Sequence, residues 1–348
     1  MRLGRPGRPQ LVLSTRQLAT LVKAGMPLLR ALRTVSDQLD PGALRAVFTA
    51  VASEVESGVK FSEALSSHPR WFPPFYVNMV RAGEVGGLLD EILKRLAELL
   101  EKQARLRDRV KSALMYPAFV MVAAVGILTV LMVFVVPTFL AMFTELGSAL
   151  PLPTRILVGA CGLIRTWWWI VLLLALVAAV LGRLLLATPP GRRAVDGALL
   201  YAPIVGSLTE RLLISRFART LGTLIASGVP ILSALETVRA TVTNVVIDDA
   251  LQEVDRSLKV GESLARPMEL SGVFRPLVTR MVALGEETGQ LDRMLMQVAD
   301  SYEEEVEVQL AGLTQLLEPL LIVFVGGVVG FIVIAMFLPL MSLTKLLG

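Results

Sequence analysis

The sequence of 348 residues contains a single cysteine, Cys161, and a single histidine, His68. One cysteine cannot form a disulfide within the chain, which is typical of proteins that fold facing a reducing compartment. No cluster of cysteine and histidine offers a zinc site, and no Gly-x-x-x-x-Gly-Lys-Ser/Thr pattern offers a nucleotide-binding loop. Because a lone histidine followed by proline is typical of a surface turn, we do not interpret His68 as a metal ligand or a catalytic base.

Charged residues are missing from two long apolar stretches, 118–136 and 320–338. They begin directly after Pro117 and Pro319, which lie 202 residues apart. A run of about 20 apolar residues is typical of a membrane-crossing helix. A third run, 164–187, carries three consecutive tryptophans near its start, where an aromatic belt at the membrane interface is expected.

The composition combines 54% apolar residues with 18% charged residues. That is too apolar for a soluble domain and too charged for a bundle wholly within lipid. We therefore predict an all-α membrane protein with two duplicated cytoplasmic helical bundles and three transmembrane helices. The predicted segments are a basic N-terminal tail (1–13), cytoplasmic repeat 1 (14–112), transmembrane helix 1 (113–143), an external loop (144–163), transmembrane helix 2 (164–187), cytoplasmic repeat 2 (188–315), transmembrane helix 3 (316–341) and an external tail (342–348).

An internal duplication relates the two predicted bundles. Ser14 followed by Gln17 predicts a helix start for the first repeat. From there, residues 202 or 203 positions apart share their types over some 120 residues. Two unrelated amphipathic helices could share leucines by chance, but not glycines and prolines in one register. The matched pairs are Gly25 with Gly228, Pro27 with Pro230, Gly83 with Gly285, Glu84 with Glu286, Gly87 with Gly289, Asp90 with Asp292, and Pro117 with Pro319.

The paired sequences Gly83-Glu84 and Gly285-Glu286 are the sharpest local signals. In one interpretation, the glycines shape a turn and the acidic residues favour the start of the next helix. In the other, Glu84 or Glu286 makes a contact between the modules or binds a divalent cation through its oxygens.

Two further features concern the membrane and its two sides. Gly326 and Gly330 form a small-x-x-x-small pair that favours a close helix–helix contact in the third span. Basic residues number 18 in residues 1–112 and 12 in 188–315, whereas the loop between the first two spans has only Arg155 and Arg165. The excess of lysine and arginine places both repeats in the cytoplasm and the loop and C-terminus outside.

These motifs together resemble a known family. The chain resembles the platform proteins of type II secretion systems and type IV pili, the general secretion pathway protein F family. The resemblance rests on three motifs: Arg16 and Leu18 with Gly25-x-Pro27, the Tyr116-Pro117 pair, and the run from Gly285 to Asp292. The resemblance covers about 14–343. Compared with that family, only a short segment precedes the first repeat here.

The resemblance implies a six-helix bundle in each repeat, three membrane helices and residence in a bacterial inner membrane. It implies a non-enzymatic assembly platform with no cofactor, apart from a divalent cation at Glu84. The implied partners are a cytoplasmic assembly ATPase, pilin or pseudopilin, other inner-membrane assembly proteins and further copies of the chain, with no nucleic acid.

Two rival functions need features that the sequence lacks. A transporter or channel subunit would need polar or broken helices at mid-membrane. A membrane-anchored enzyme would need a reactive group of side chains, and none can be assembled from the sequence.

The two repeats also differ in charge where each approaches its span. Lys102 and Arg105 of the first repeat align with Glu304 and Glu307 of the second at an offset of 202 residues. We predict that these two helices pair through opposite charges. The alternative is that both are solvated faces, the basic one drawn to anionic lipid headgroups.

Overall fold

The computed structural model describes residues 8–139, 152–203, 205–242 and 244–347, and these are helices joined by short connections. No strand occurs in these ranges, so the all-α prediction is confirmed. Residues up to Phe139 form α1 (Arg8–Lys23), α2 (Leu28–Gln38), α3 (Ala43–Glu56), α4 (Phe61–Ser66), α5 (Pro74–Gly86) and α6 (Leu89–Val130), which continues through a π-helical turn (Leu131–Val135).

The later part of the chain repeats this order after two intervening helices. These are α7 (Leu152–Ala187) and α8 (Pro189–Tyr201). The helices that follow are α9 (Val205–Ala226), α10 (Ile231–Arg239), α11 (Val245–Lys259), α12 (Ala265–Leu270), α13 (Pro276–Thr288) and α14 (Leu291–Leu347).

Glycine and proline set the same turn in both repeats, as the duplication predicts. Gly25 and Gly228 have φ of 84° and 80°, a left-handed conformation that glycine adopts without steric cost. Pro27 and Pro230 then precede α2 and α10 with matching φ of −54°. Their fixed φ ends one helix and leads directly into the next.

The helices divide into two compact units. The first contains the chain up to Arg109 together with Arg192–Glu307, and so holds both repeats. Its hydrophobic core is continuous across the repeats, and includes Leu18, Tyr76 and Leu93 as well as Phe217, Val254 and Leu295. The second unit contains Val110–Gly191 and Val308–Gly348.

At two of the predicted boundaries, a helix begins earlier than the sequence indicated. The first helix begins at Arg8, inside the predicted tail, and the Ser14 hydroxyl donates to the Gln10 carbonyl oxygen at 2.8 Å instead of capping a helix start. The predicted external loop 144–163 is helical from Leu152 onward, because Pro153 stands in the first turn of α7, where proline is well tolerated. Residues 1–7 and 140–151 lie outside the described ranges.

Two helices are long and apolar enough to cross a membrane. They are Leu89–Phe139 and Leu291–Leu338, and each is the last helix of a repeat continued without interruption. Their apolar parts carry exposed side chains such as Phe119 and Val323, which suits contact with lipid.

A third crossing is not assigned by these criteria. α8 and α9 reach the required hydropathy only together and are bent by 105°. α9 also packs within the core of the first unit, through residues such as Phe217. The predicted second span, 164–187, lies within α7, whose stretches Leu152–Leu163 and Leu176–Leu185 are apolar but shorter than a span. That span stays a prediction.

Candidate functional site

The Gly-Glu motif performs the same three tasks in each repeat. Its first glycine allows a close approach: a Cβ on Gly83 would lie 3.0 Å from the Ile92 side chain, and one on Gly285 would lie 2.8 Å from Leu291 Cα. Its last glycine, Gly87 or Gly289, ends the helix at φ 67°. Such a left-handed residue is the usual end of an α-helix.

The glutamate between these glycines caps another helix of its own repeat. Glu84 accepts hydrogen bonds from the backbone N–H groups of Phe61, at 2.6 Å, and Ser62, at 3.0 Å. Glu286 accepts from Leu264, at 2.5 Å, and Ala265, at 3.2 Å.

These bonds replace a missing local cap. α4 and α12 have six residues each, and neither has a side-chain hydrogen bond from its own N-cap residue. A carboxylate at a helix N-terminus satisfies free N–H groups and also interacts favourably with the helix dipole. The arrangement therefore ties α4 to α5 and α12 to α13, and we name it the Gly-Glu clamp.

The clamp corrects the first interpretation of the motif. Glu84 and Glu286 lie inside α5 and α13 and cap an earlier helix, not the start of the next one. Asp90 and Asp292 instead occupy the first turns of the following helices, α6 and α14. Within the described residues there is no group of three or more His, Cys, Asp or Glu side chains suited to a metal ion. A cation at Glu84 stays a prediction from the resemblance.

The two repeats meet along a second set of residues, which we name the repeat seam. α5 of the first repeat packs against α9 and α10 of the second. The Asn78 amide donates to the Thr237 hydroxyl oxygen at 2.6 Å. In the second turn of α6, the Arg95 guanidinium donates to the carbonyl oxygen of Ala226.

A buried arginine stands at the centre of the second repeat's side of the seam. The Arg219 side chain is 2% exposed and pairs with Asp300 at 2.6 Å and with Glu303 at 2.9 Å. The equivalent pair in the first repeat is Arg16 with Glu101, at 3.5 Å, and there the arginine side chain is 49% exposed. The repeats therefore share this ion pair but bury it differently.

Ion pairs also connect α6 with α14. Lys102 Nζ lies 3.1 Å from an Asp300 carboxylate oxygen, and Arg109 pairs with Glu307. The prediction that these helices pair by charge is supported, but its register is wrong. Both observed pairs lie 198 residues apart and not 202, a shift of about one helical turn. Arg105 contacts Glu101 of its own helix.

Asp300 receives hydrogen bonds from both sides of the seam. Burial acts to raise the pKa of its carboxyl group, but hydrogen bonds from Arg219 and Lys102 outweigh that effect, so the pKa lies below its ordinary value of 3.8. The group is therefore ionised at neutral pH and joins α9, α6 and α14.

In the second unit, the contacts avoid the predicted glycine pair. A Cβ on Gly326 or Gly330 would meet no atom within 4 Å, so these glycines make no close helix contact in the described part of the chain. The packed cluster lies elsewhere, and the Thr154 hydroxyl donates to the Ala335 carbonyl oxygen at 2.6 Å. That cluster contains Val136, Leu157, Cys161, Ile332 and Ala335.

The predicted Tyr116-Pro117 and Pro319 positions lie within unbroken helices. Pro117 is inside α6 and Pro319 inside α14. Tyr116 is exposed. The matched prolines therefore mark equivalent points along the two long helices and do not end them.

Both repeats match the sequence model of a known family. The sequence model of a family described as type II secretion system (T2SS), protein F, matches 14–137 and 217–339. The chain belongs to this family. Each matched range contains one Gly-Glu clamp and most of the long helix that follows it. The resemblance found from the motifs is therefore confirmed. This member of the T2SS protein F family carries its clamps and its seam within the matched ranges.

Individual members of the family are similar over nearly the whole chain. Identity is 43% over 339 residues with the type IV pilus assembly protein PilC of Thermus thermophilus, covering 97% of this chain and 83% of that protein. It is 40% over 333 residues with PilC of Myxococcus xanthus, covering 96% and 80%. It is 34% over 340 residues with type II secretion system protein F of Vibrio cholerae, covering 98% and 84%.

Most residues of the repeat seam carry no signal in the sequence. Asn78 and Thr237 carry no distinguishing pattern, because their roles depend on how one repeat packs on the other. Arg219 carries a signal, since it repeats Arg16, but only the structure shows that Arg219 is the buried member of this pair.

Proposed function

We propose that this protein is the inner-membrane assembly platform of a type II secretion or type IV pilus machine. In this proposal, two cytoplasmic six-helix bundles and three membrane helices couple a cytoplasmic ATPase to the insertion of pilin or pseudopilin into a filament. The names of the relatives, which describe pilus assembly and type II secretion proteins, support a role in such machinery. Its partners would include other inner-membrane assembly proteins and further copies of the chain, and no nucleic acid.

One structural observation carries the coupling part of the proposal. Each repeat ends in a long helix whose later part is apolar, with no break between the two parts. These helices are Leu89–Phe139 in the first repeat and Leu291–Leu338 in the second. A continuous helix transmits a rotation or displacement along its axis because its backbone hydrogen bonds resist bending. Motion imposed on a repeat would therefore reach the membrane.

The protein itself would hydrolyse no ATP in this scheme. The P-loop pattern is absent from its sequence, so the nucleotide chemistry would belong to the partner ATPase. We expect the purified protein to lack ATPase activity and to copurify with a cytoplasmic ATPase of the same host. Hydrolysis that persists in protein free of contaminating ATPase would contradict this assignment.

A deletion strain tests the proposal in the cell. Loss of the gene should abolish filaments or secretion, and the wild-type gene should restore them.

A Gly-Gly-Ser insertion after Lys111, where α6 leaves the first unit, should leave the protein in the membrane and bound to the ATPase but stop assembly. An Ala-Ala-Ala insertion at the same place is the matched control for added length with helix retained. Normal filaments in the deletion strain would refute the platform role, and normal assembly with Gly-Gly-Ser would refute coupling through α6.

A further inference from the structure

The face of α5 that forms the repeat seam has an equivalent face on α13 of the second repeat. No other part of the described chain packs over the α13 face. Asn78 of α5 contacts Thr237, and Phe75 and Ala82 lie one turn to either side of it on the same face of the helix. Phe75 is 7% exposed, and Ala82 is partly buried against the core. This face of the first repeat is covered within the unit.

The equivalent face of the second repeat is open. The residues 202 positions further on are Leu277, Arg280 and Leu284 of α13, and all three are exposed. Leu277 is 53% exposed and Leu284 is 47% exposed. Two large apolar side chains, two helical turns apart on one stripe, are unusual on a water-facing helix unless another surface covers them.

The face of α9 and α10 that receives α5 also has an equivalent, on α1 and α2 of the first repeat. Thr237 corresponds to Thr34 of α2, and both hydroxyls donate to the carbonyl four residues earlier, at 2.6 Å to Ser233 and at 2.9 Å to Arg30. Each hydroxyl oxygen therefore keeps acceptor capacity in the same orientation along its helix. Thr237 uses that capacity to accept from Asn78, whereas Thr34 accepts no hydrogen bond from another described residue.

The exposure of the neighbouring side chains follows the same division. Arg219 and Thr223 of α9 are buried, whereas their equivalents Arg16 and Thr20 of α1 are exposed. Only one of the two equivalent faces is covered, because the chain has one first repeat and one second repeat. Charge also matches between the uncovered halves: Asp37 lies one turn after Thr34 on α2, and neither it nor Arg280 forms an ion pair with another described residue.

We propose that a second copy of the chain covers this face. The α13 stripe of Leu277, Arg280 and Leu284 in one copy docks on α1 and α2 of the next, repeating between chains the contact that α5 makes with α9 and α10 within one chain. Arg280 then takes the place of Asn78 opposite Thr34 and pairs with Asp37. The contact joins unlike faces, so it is head-to-tail and not self-complementary.

This inference specifies a surface for the copies included in the proposed function, but it depends on the repeat seam and not on ATPase coupling. A chain that forms the contact and fails to support filaments would refute the platform role alone. A chain that supports filaments without the contact would refute the inference alone.

Site-directed crosslinking in native membranes tests the contact. A Cys161→Ala background removes the single cysteine. Two differently tagged chains are coexpressed, one with Thr34→Cys and the other with Arg280→Cys, and are treated with a short bismaleimide. We expect a mixed dimer several-fold stronger than the dimers formed when either chain is expressed alone. Arg280→Cys removes the proposed pair between Arg280 and Asp37, and the loss of one surface ion pair should weaken the contact only slightly.

Two controls make the result decisive. Asn78→Cys with Thr237→Cys in one chain should crosslink internally and shows that the reagent spans the seam. Val260→Cys, at a site 76% exposed, replaces Arg280→Cys as the measure of random collision. Leu284→Glu should reduce the mixed dimer to that background while the internal crosslink persists. A mixed dimer no stronger than the Val260 control, or equal dimers from either chain alone, would overturn the proposal.

Discussion

At the scale of single residues, Arg219 and Arg16 show how burial changes the contribution of an ion pair to stability. They occupy equivalent positions, but the side chain of Arg219 is buried against Asp300 and Glu303 while that of Arg16 is half exposed. A buried charge that loses its partner is far more costly than an exposed one.

We expect Arg219→Met to lower the free energy of unfolding by about 3–5 kcal/mol, because it leaves the largely buried Glu303 carboxylate without its cation, whereas Asp300 keeps Lys102. The matched change Arg16→Met should cost about 0–1 kcal/mol. Thermal unfolding of the detergent-solubilised protein, compared between the two variants, measures the difference. Equal losses of stability would show that burial does not govern this pair.

The Gly-Glu clamp gives a second prediction at this scale. Glu286→Ala removes the acceptor for the backbone N–H groups of Leu264 and Ala265 at the start of α12, and a lost helix cap costs about 0.5–2 kcal/mol. Glu84→Ala should have a similar effect on α4. Glu287→Ala, next to the clamp but exposed, is the control and should stay within about 0.5 kcal/mol of the wild type. A melting temperature that falls equally for Glu286→Ala and Glu287→Ala would contradict the capping role.

At the scale of helices, the sequence allows the order of elements to be predicted but not which residues meet where two helices pack. Gly25 with Pro27 marks a turn by its own backbone preferences, and such local rules hold wherever the residues occur. The partner of Glu84 lies more than 20 residues earlier, at Phe61 and Ser62, and only tertiary packing brings the two together.

The same distinction explains the wrong register between α6 and α14. Alignment of the repeats identifies positions with equivalent surroundings, whereas two helices touch where their packing places them. The observed pairs are Lys102 with Asp300 and Arg109 with Glu307, one turn away from the aligned positions.

Charge reversal distinguishes the two registers. Arg109→Glu or Glu307→Arg alone should lower stability by about 1 kcal/mol or less, because the side chains are half exposed, and the double variant should recover most of that loss. Glu304→Lys should have no such effect, since Glu304 is exposed and pairs with no described residue. A double-mutant cycle from thermal unfolding gives the coupling energy. No recovery in the double variant would show that the Arg109–Glu307 pair does not act as a unit.

At the scale of the whole molecule, the shared core of the repeats constrains how the chain crosses a membrane. Residues of both repeats belong to one hydrophobic core, so 8–109 and 192–307 must lie on the same side. If the apolar part of α6 crosses the membrane, the chain must cross back before residue 192. α7 is the helix that the structure describes in this interval. The shared core of the repeats therefore favours a second crossing within α7 independently of its hydropathy.

The three-span prediction has α14 cross the membrane again, and the C-terminal tail would then lie on the side opposite the repeats. The basic residues favour the cytoplasm for the repeats, so a periplasmic reporter should be active when fused after Gly348 or after Glu145 and inactive after Asn244. A fluorescent protein that matures only in the cytoplasm should give the reverse pattern at the same three positions. Fluorescence from the cytoplasmic reporter fused after Gly348 would contradict the three-span topology. Opposite locations for the Asn244 fusion and the N-terminus would contradict the shared core itself, because no membrane can separate residues that pack in one hydrophobic cluster.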